Sequence, residues 1–209
     1  MRIDIWSDVI CPWCYLGRRR FVTALEQLQL DDVEIRWRAF QLDPDAPAGA
    51  MPLEPVIDAK YGPGSFASMA RRLGELGREA GIEYRFDLAR RVNTADAHRL
   101  LAWATEQGHG DQLLEQLFAA YFTEGADLSA SDVLADRAAA VGLPRTDAVA
   151  VLESQQYLQT VLDDREAGAA MGVTGVPAFV VDDHFLIPGA QDVDRLVAPL
   201  GRLHERSRG

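Results

Sequence analysis

Cys11 and Cys14 are the residues in this chain best suited to chemistry. They are its only two cysteines, separated by Pro12 and Trp13, with a strand-like apolar run before them and a helix-like run after. A Cys-x-x-Cys pair at a strand-to-helix junction is typical of a dithiol redox centre. Unpaired backbone N–H groups and the positive end of the helix dipole favour the thiolate at a helix start. We therefore expect an exposed, nucleophilic Cys11 and a more buried Cys14 that resolves the mixed disulfide.

Val176 and Pro177 form the second candidate part of the site. They follow a glycine-rich turn, residues 172–175, and lead into a late strand-like run. A proline at this entry, together with the dithiol motif, predicts a cis peptide bond packed against the two sulfurs. The backbone of Val176 is then free to pair with an extended substrate.

The hydrophobic pattern predicts the elements that position these residues. Residues 2–7 alternate apolar and polar side chains, residues 11–30 carry apolar side chains at helical spacing, and residues 33–40 alternate again. This strand–helix–strand order predicts a parallel pair of strands with a crossover helix. A proline-rich loop at residues 43–55 follows, and the pattern is then helical to about residue 171.

The last part of the chain returns to strands. Residues 178–187 are typical of a β-hairpin with a short turn at Asp182-Asp183, and residues 191–205 are typical of a helix. Within the helical stretch, three residues are candidate N-caps: Thr94, Ser131 and Thr146.

The order of elements predicts an α/β fold of the thioredoxin type with an inserted all-helical domain. We place the thioredoxin-like domain at residues 1–45 and 172–209 and the helical insertion at residues 46–171.

The motifs together resemble the DsbA-like thiol–disulfide oxidoreductases, in particular their FrnE-type branch. The resemblance covers nearly the whole chain and rests on the segments 7–17, 37–44, 93–99, 172–179 and 189–191. It implies no prosthetic group, a redox-active Cys11–Cys14 disulfide, and exchange with thiols and disulfides of proteins or small molecules. Glutathione is a candidate co-substrate.

Trp13 departs from the family's periplasmic members, which often carry histidine inside the motif. Trp13 supplies apolar surface and an N–H donor but no cationic imidazole, and with Pro12 it is expected to tune the reduction potential. We therefore expect this dithiol to be less oxidising than that of those members.

Three further residues are candidates for supporting roles. Asp8 precedes Cys11 by three residues and either accepts the proton of Cys14 or stabilises the turn. His98 lies beside an apolar stripe, which is typical of a satisfied core or interdomain histidine. Arg99 matches the family segment and is a candidate for interdomain or groove contacts.

Composition limits the partners and the compartment. The net charge of −11 opposes nucleic-acid binding. The longest basic run, Arg18-Arg19-Arg20, is interpreted as a solvated helix face, with attraction of acidic substrates as the alternative. No apolar stretch is long enough for a bilayer, and residues 1–8 lack a signal peptide's features, so we expect a cytoplasmic monomer or homodimer.

A metal site is not expected, since zinc needs four ligands and the two cysteines have no histidines at ligand spacing. Two other functions stay open. One is a glutathione-dependent isomerase or kappa-class-like glutathione transferase, a class that resembles this architecture but typically lacks the second cysteine. The other is a holdase that uses an apolar groove without redox chemistry.

Overall fold

The computed structural model describes residues 1–30, 32–47 and 49–207. At its centre is a four-stranded sheet in the order β2-β1-β5-β6. Its strands are β1 (Arg2–Ser7), β2 (Glu34–Ala39), β5 (Ala178–Val181) and β6 (Phe185–Pro188). β1 and β2 are parallel, as the sequence predicts, while β5 is antiparallel to β1 and β6 is antiparallel to β5.

The two faces of the sheet follow the alternation of side chains along each strand. Ile3 and Ile5 of β1 and Phe179 of β5 lie on one face of the sheet. They pack there against two helices, one near the start of the chain and one at its end. Those helices are α1 (Pro12–Leu28) and α9 (Val193–Ser207). Trp6 and Val180 point to the opposite face.

The predicted hairpin turn is confirmed. Asp182 and Asp183 both have positive φ, 47° and 59°, between β5 and β6. Aspartate tolerates this left-handed backbone better than most residues, and a two-residue turn of this kind matches the twist of its strands.

The middle of the chain forms seven helices among the described residues. They are α2 (Glu54–Tyr61), α3 (Ser65–Glu79), α4 (Ala95–Glu106), α5 (Gly110–Phe122), α6 (Ser131–Ala140), α7 (Arg145–Glu153) and α8 (Leu158–Ala170). The region is not all-helical, because β3 (Met51–Pro52) pairs with β4 (Arg90–Arg91) in a short antiparallel ribbon. Two-residue strands are too short to leave an alternating pattern, so the sequence did not reveal them. The domain division stays a prediction, and residues 31, 48, 208 and 209 lie outside the described part.

Of the three candidate N-caps, one lies at the N-cap position of a helix and two do not. Thr94 occupies the N-cap position of α4, but the backbone N–H of Ala95 donates instead to Asn93 Oδ1 at 2.9 Å. α6 begins one residue and α7 two residues before the prediction requires, so Ser131 and Thr146 lie inside the helices. Those two N-cap predictions are wrong because Ala130 and Pro144, whose backbones are extended, occupy the N-cap positions of α6 and α7.

The helical region and the start of α1 share one apolar core around the two cysteines. The largest cluster of buried apolar side chains contains Cys11, Cys14 and Leu16 together with residues of α4 and α5, such as Leu100 and Leu114. Burial of apolar surface stabilises a fold by about 25 cal/mol per Å². The helices of the predicted insertion therefore help to hold the end of α1 that carries the two cysteines. In the part of the chain that the structure describes, no helix is both long and apolar enough to cross a membrane.

The basic run on α1 is not the solvated face that its sequence suggested. Arg18 is buried and donates to Asp111 at 2.6 Å and to Glu115, both on α5, while Arg19 also pairs with Glu115. The prediction is wrong because the partner carboxylates lie about ninety residues away in the sequence. The run connects α1 to the helical region and is neutralised there.

Candidate functional site

The two cysteines lie at the start of α1, in the geometry that the motif predicts. Cys11 occupies the N-cap position and Pro12 begins the helix, where its missing N–H costs no hydrogen bond. Both thiols are free. Backbone N–H groups of Cys14 and Tyr15 donate to the Cys11 carbonyl at 3.0 and 3.3 Å, which closes the first turn.

Cys11 is not exposed in this structure. It is 4% exposed and Cys14 is 1% exposed, so the predicted order of burial holds but the predicted exposure of Cys11 is wrong. The apolar core around the dithiol, with Val176 packed against it, covers the Cys11 sulfur. A substrate must therefore displace or insert beside these groups to reach the sulfur.

The Val176–Pro177 segment faces the dithiol, and its peptide bond is cis. The Cys11 thiol donates to the carbonyl oxygen of Val176, with 3.8 Å between sulfur and oxygen. A thiolate has no proton to donate, so ionisation of Cys11 releases this carbonyl for another donor. The Cys11 sulfur thus contacts the Val176 backbone directly.

Gly17 allows Pro177 to approach α1 closely. A Cβ atom at this position would lie 2.8 Å from Pro177 Cγ and 3.4 Å from Ala190 Cβ. Sequence reasoning noted Gly17 only within the family motif and did not assign it a role. The close contact fixes the distance between the helix that carries the cysteines and the loop that faces them.

Cys14 is held as a thiol by its surroundings. Burial raises the pKa of Cys14, and the neighbouring Cys11 sulfur raises that pKa further as a hydrogen-bond partner and as a charge. The Ser7 hydroxyl and the Asp8 backbone N–H act in the opposite direction. Ser7 Oγ is buried and makes no hydrogen bond among the described residues. Ser7 is a contact that the sequence interpretation did not single out.

Asp8 binds across the molecule rather than capping α1. Its Oδ2 accepts the backbone N–H of Leu42 at 2.7 Å, and its Oδ1 lies 3.3 Å from Nε2 of His98 on α4. Both Asp8 and His98 are almost completely buried, and His98 Nδ1 has no partner in the described part of the chain. This pair joins the strand end before the dithiol to the helical region.

The contact of His98 with Asp8 crosses the predicted boundary between the two domains, whereas the contacts of Arg99 do not. The Arg99 guanidinium donates to the carbonyl of Gln156 at 2.8 Å and to the carbonyls of Val151 and Ser154. It also pairs with Asp96 at 2.6 Å. All these groups lie within the predicted insertion, so Arg99 holds the end of α7 against α4.

Tyr84 is a further residue beside the dithiol that the sequence did not reveal. Its hydroxyl donates to the Pro12 carbonyl at 2.6 Å. Burial raises the pKa of Tyr84, and the charge of the nearby Cys11 sulfur adds to the rise. A lone tyrosine in a mixed segment carries no sequence signal, because only the folded chain brings it within reach of residue 12.

The arrangement suits thiol–disulfide exchange and offers little else. One sulfur faces a peptide backbone, and the second lies behind it as a protonated thiol. Within the described ranges, no group of three or more histidine, cysteine, aspartate or glutamate side chains is arranged to hold a metal ion.

Comparison with known proteins agrees with this geometry. The model of the DSBA-like thioredoxin domain family matches residues 2–201. The crystal structure of a probable DsbA oxidoreductase from Streptomyces coelicolor is 33% identical in sequence, with a TM-score of 0.93 over 98% of this chain and 90% of that chain.

Two more distant structures share the fold. One is a 2-hydroxychromene-2-carboxylate isomerase, 18% identical, with a TM-score of 0.70 over 100% of this chain and 98% of that chain. The other is the cytosolic disulfide reductase DsbM from Pseudomonas aeruginosa, solved with GSH, 19% identical, with a TM-score of 0.66 over the same shares of the two chains.

Proposed function

Because the chain belongs to the DSBA-like thioredoxin domain family, we propose that it exchanges disulfides with protein or small thiol substrates through Cys11 and Cys14. The observation that supports this most directly is the Cys11 thiol against the Val176 carbonyl. It places the candidate nucleophile beside the backbone that would bind an extended peptide. The FrnE-type branch stays a prediction.

In the proposed reaction, the reduced protein passes two electrons to a substrate disulfide. The Cys11 thiolate attacks one substrate sulfur, the substrate S–S bond breaks, and the departing sulfur takes a proton. Cys14 loses its proton, attacks the Cys11 sulfur of the mixed disulfide and releases the second substrate thiol. The Cys11–Cys14 disulfide remains, and two molecules of a thiol such as glutathione reduce it again and leave joined as their own disulfide.

The proton of Cys14 needs an acceptor, because burial keeps this residue a thiol. We assign this role to the Asp8 carboxylate. Asp8 follows Ser7, whose hydroxyl lies beside the Cys14 sulfur, and its own backbone N–H contacts Cys14.

The proposal places the reaction in the cytoplasm, with glutathione as the co-substrate. The DsbM structure supports this choice, since that protein of the same fold is described as cytosolic and was solved with GSH. Reduction or isomerisation of disulfides suits a reducing compartment better than bulk oxidation does.

The test compares the wild-type protein with Cys11→Ser in insulin reduction and in the refolding of scrambled ribonuclease. The proposal predicts activity in both assays for the wild type and its loss on substitution. Little activity in either protein, with glutathione-dependent isomerisation instead, would favour the isomerase class, whose fold is shared. Suppression of aggregation that does not depend on Cys11 would indicate a holdase.

A further inference from the structure

A small cavity lies beside the dithiol on the side of α3. Its volume is about 290 Å³, and six residues line it: Trp13, Ser65, Ser68, Met69, Arg72 and Leu73. Trp13 lies between the two cysteines in the sequence and packs against the buried cluster that contains both, so one wall of the cavity belongs to the dithiol motif. A single residue, Pro12, separates Trp13 from Cys11, and the Cα atoms of Trp13 and Cys11 are therefore at most about 7 Å apart.

Arg72 brings a positive charge to this cavity. Its guanidinium carbon lies 5.6 Å from the centroid of the Trp13 ring, within the range of a cation–π contact. Arg72 is exposed, and no carboxylate of the described residues pairs with it. The aromatic ring holds one face of the guanidinium and leaves its N–H groups to bind another partner.

The surroundings of the Arg72 guanidinium differ from those of the other arginines near the candidate site. Arg18, Arg19 and Arg20 of α1 all pair with carboxylates, and Arg99 is enclosed by carbonyl groups. These side chains cannot attract an anion without losing a partner. Arg72 can, on a protein whose net charge of −11 otherwise repels acidic molecules.

We propose that Arg72 and Trp13 form a subsite for a carboxylate carried one or two residues from the reacting cysteine of the substrate. The inference rests on the proposed thiol–disulfide exchange. An extended substrate beside Val176 advances about 3.3 Å per residue, so a neighbouring side chain reaches the cavity when its cysteine meets Cys11. Ser68, on the same helix face as Arg72, supplies a hydroxyl donor there.

The carboxylate has two chemical sources. One is an aspartate or glutamate of a protein client, and the other is a carboxylate of glutathione. Both would place a negative charge near the attacked sulfur, and the subsite selects for that charge.

The test measures single-turnover reaction of the reduced protein with three short peptides. Each carries a cysteine activated by a neutral thiopyridyl group, with glutamate, glutamine or lysine as the following residue. Cys11 attacks the peptide sulfur, and thiopyridone leaves with a proton, so its absorbance gives the rate. We expect the glutamate peptide to react about three- to fivefold faster than the glutamine peptide, and the lysine peptide to react slowest.

Arg72→Glu should reverse this order, and added salt should weaken it in the wild type. Arg71→Glu is the matched control, since Arg71 is exposed on the same helix, outside the cavity, and the substitution changes the net charge equally. Equal rates for the three peptides, or the same reversal in Arg71→Glu, would overturn the proposal. Failure of every peptide, including the glutamine one, would instead contradict the proposed function.

A parallel series compares glutathione disulfide with its fully esterified form. A loss of rate on esterification that depends on Arg72 identifies glutathione as an occupant. Charge preference among the peptides alone identifies protein clients. If neither series depends on Arg72, the subsite does not exist.

Discussion

At the scale of single residues, the two cysteines differ in what surrounds each sulfur. Cys11 faces the Val176 carbonyl, whereas Cys14 is deeper and its pKa is raised by burial. A mixed-disulfide mechanism needs one sulfur that attacks the substrate and a second thiol that later resolves the mixed disulfide. The division follows from position, since Cys11 precedes the helix and Cys14 lies one turn inside it.

The raised pKa of Cys14 makes the stability of the reduced protein depend on pH. The unfolded thiol ionises near its usual pKa of about 8.5, while the folded thiol keeps its proton. This group's contribution to the free energy of unfolding is therefore complete below about pH 8.5 and is lost as the pH rises toward the folded pKa. Between about pH 7.5 and pH 9.5, the free energy of unfolding of the wild type, measured with urea, should fall by on the order of 1 kcal/mol relative to that of Cys14→Ala. A difference between the two proteins that stays constant over this range would show that burial does not hold the proton.

Asp8→Asn should slow the resolving step and leave the first attack unchanged. The Asp8 carboxylate is the acceptor that we propose for the proton of Cys14, and removal of such a general base slows a step by about a hundredfold. Release of thiopyridone reports the first step, and decay of the mixed disulfide, followed by mass spectrometry, reports the second.

Asp164→Asn is the control for the Asp8 experiment, because Asp164 is also buried and its carboxylate binds the Ala39 N–H at 2.8 Å and Arg38 at 2.9 Å, with no hydrogen bond to Asp8 or the cysteines among the described residues. It should alter neither step. If Asp8→Asn leaves the lifetime of the mixed disulfide unchanged, Asp8 serves only to hold Leu42 and His98.

At the scale of elements, the site depends on how closely α1 approaches the Val176–Pro177 loop. Residue 17 is the point of contact, with only 2.8 Å available to a Cβ atom before it meets Pro177. Either the helix or the loop must move to accept a larger side chain. Because the loop faces Cys11, a shift of this contact moves the substrate-binding backbone relative to the sulfur.

Gly17→Ala should therefore lower both stability and exchange rate. Overpacking of this kind costs about 1–3 kcal/mol, which urea unfolding will detect, and the thiopyridyl assay will report the slower attack. Gly74→Ala on α3 is the matched control, since a Cβ atom there has nothing within 4 Å. It should stabilise the protein slightly, because alanine favours a helix over glycine. Wild-type stability and rate in Gly17→Ala would mean that the close approach is not required.

At the scale of the whole molecule, the helical region forms part of the redox site. Tyr84 binds the Pro12 carbonyl, His98 pairs with Asp8, and Glu115 binds Arg18 on the first helix. Each contact joins the start of the chain to a residue 70 to 97 positions later. The position of the dithiol is thus set by the packing of the helices as much as by the sheet.

This distribution explains what could be predicted from the sequence. The position of the two cysteines at the start of α1, the parallel strands and the late hairpin depend on local patterns, and those predictions are confirmed. Burial of Cys11, pairing of Arg18 and the contact of Tyr84 depend on side chains brought from distant helices. One sequence carries no local signal of such contacts, because each residue alone is an ordinary member of its own helix or loop.

The central claim is that Cys11 attacks the substrate and Cys14 resolves the product. Mass spectrometry of intact Cys14→Ser after reaction with a peptide disulfide tests it most directly. The account predicts one stable peptide adduct per molecule, attached at Cys11, while the wild type is recovered with its own disulfide. An adduct that also forms in Cys11→Ser, or turnover by Cys14→Ser at the wild-type rate, would contradict it.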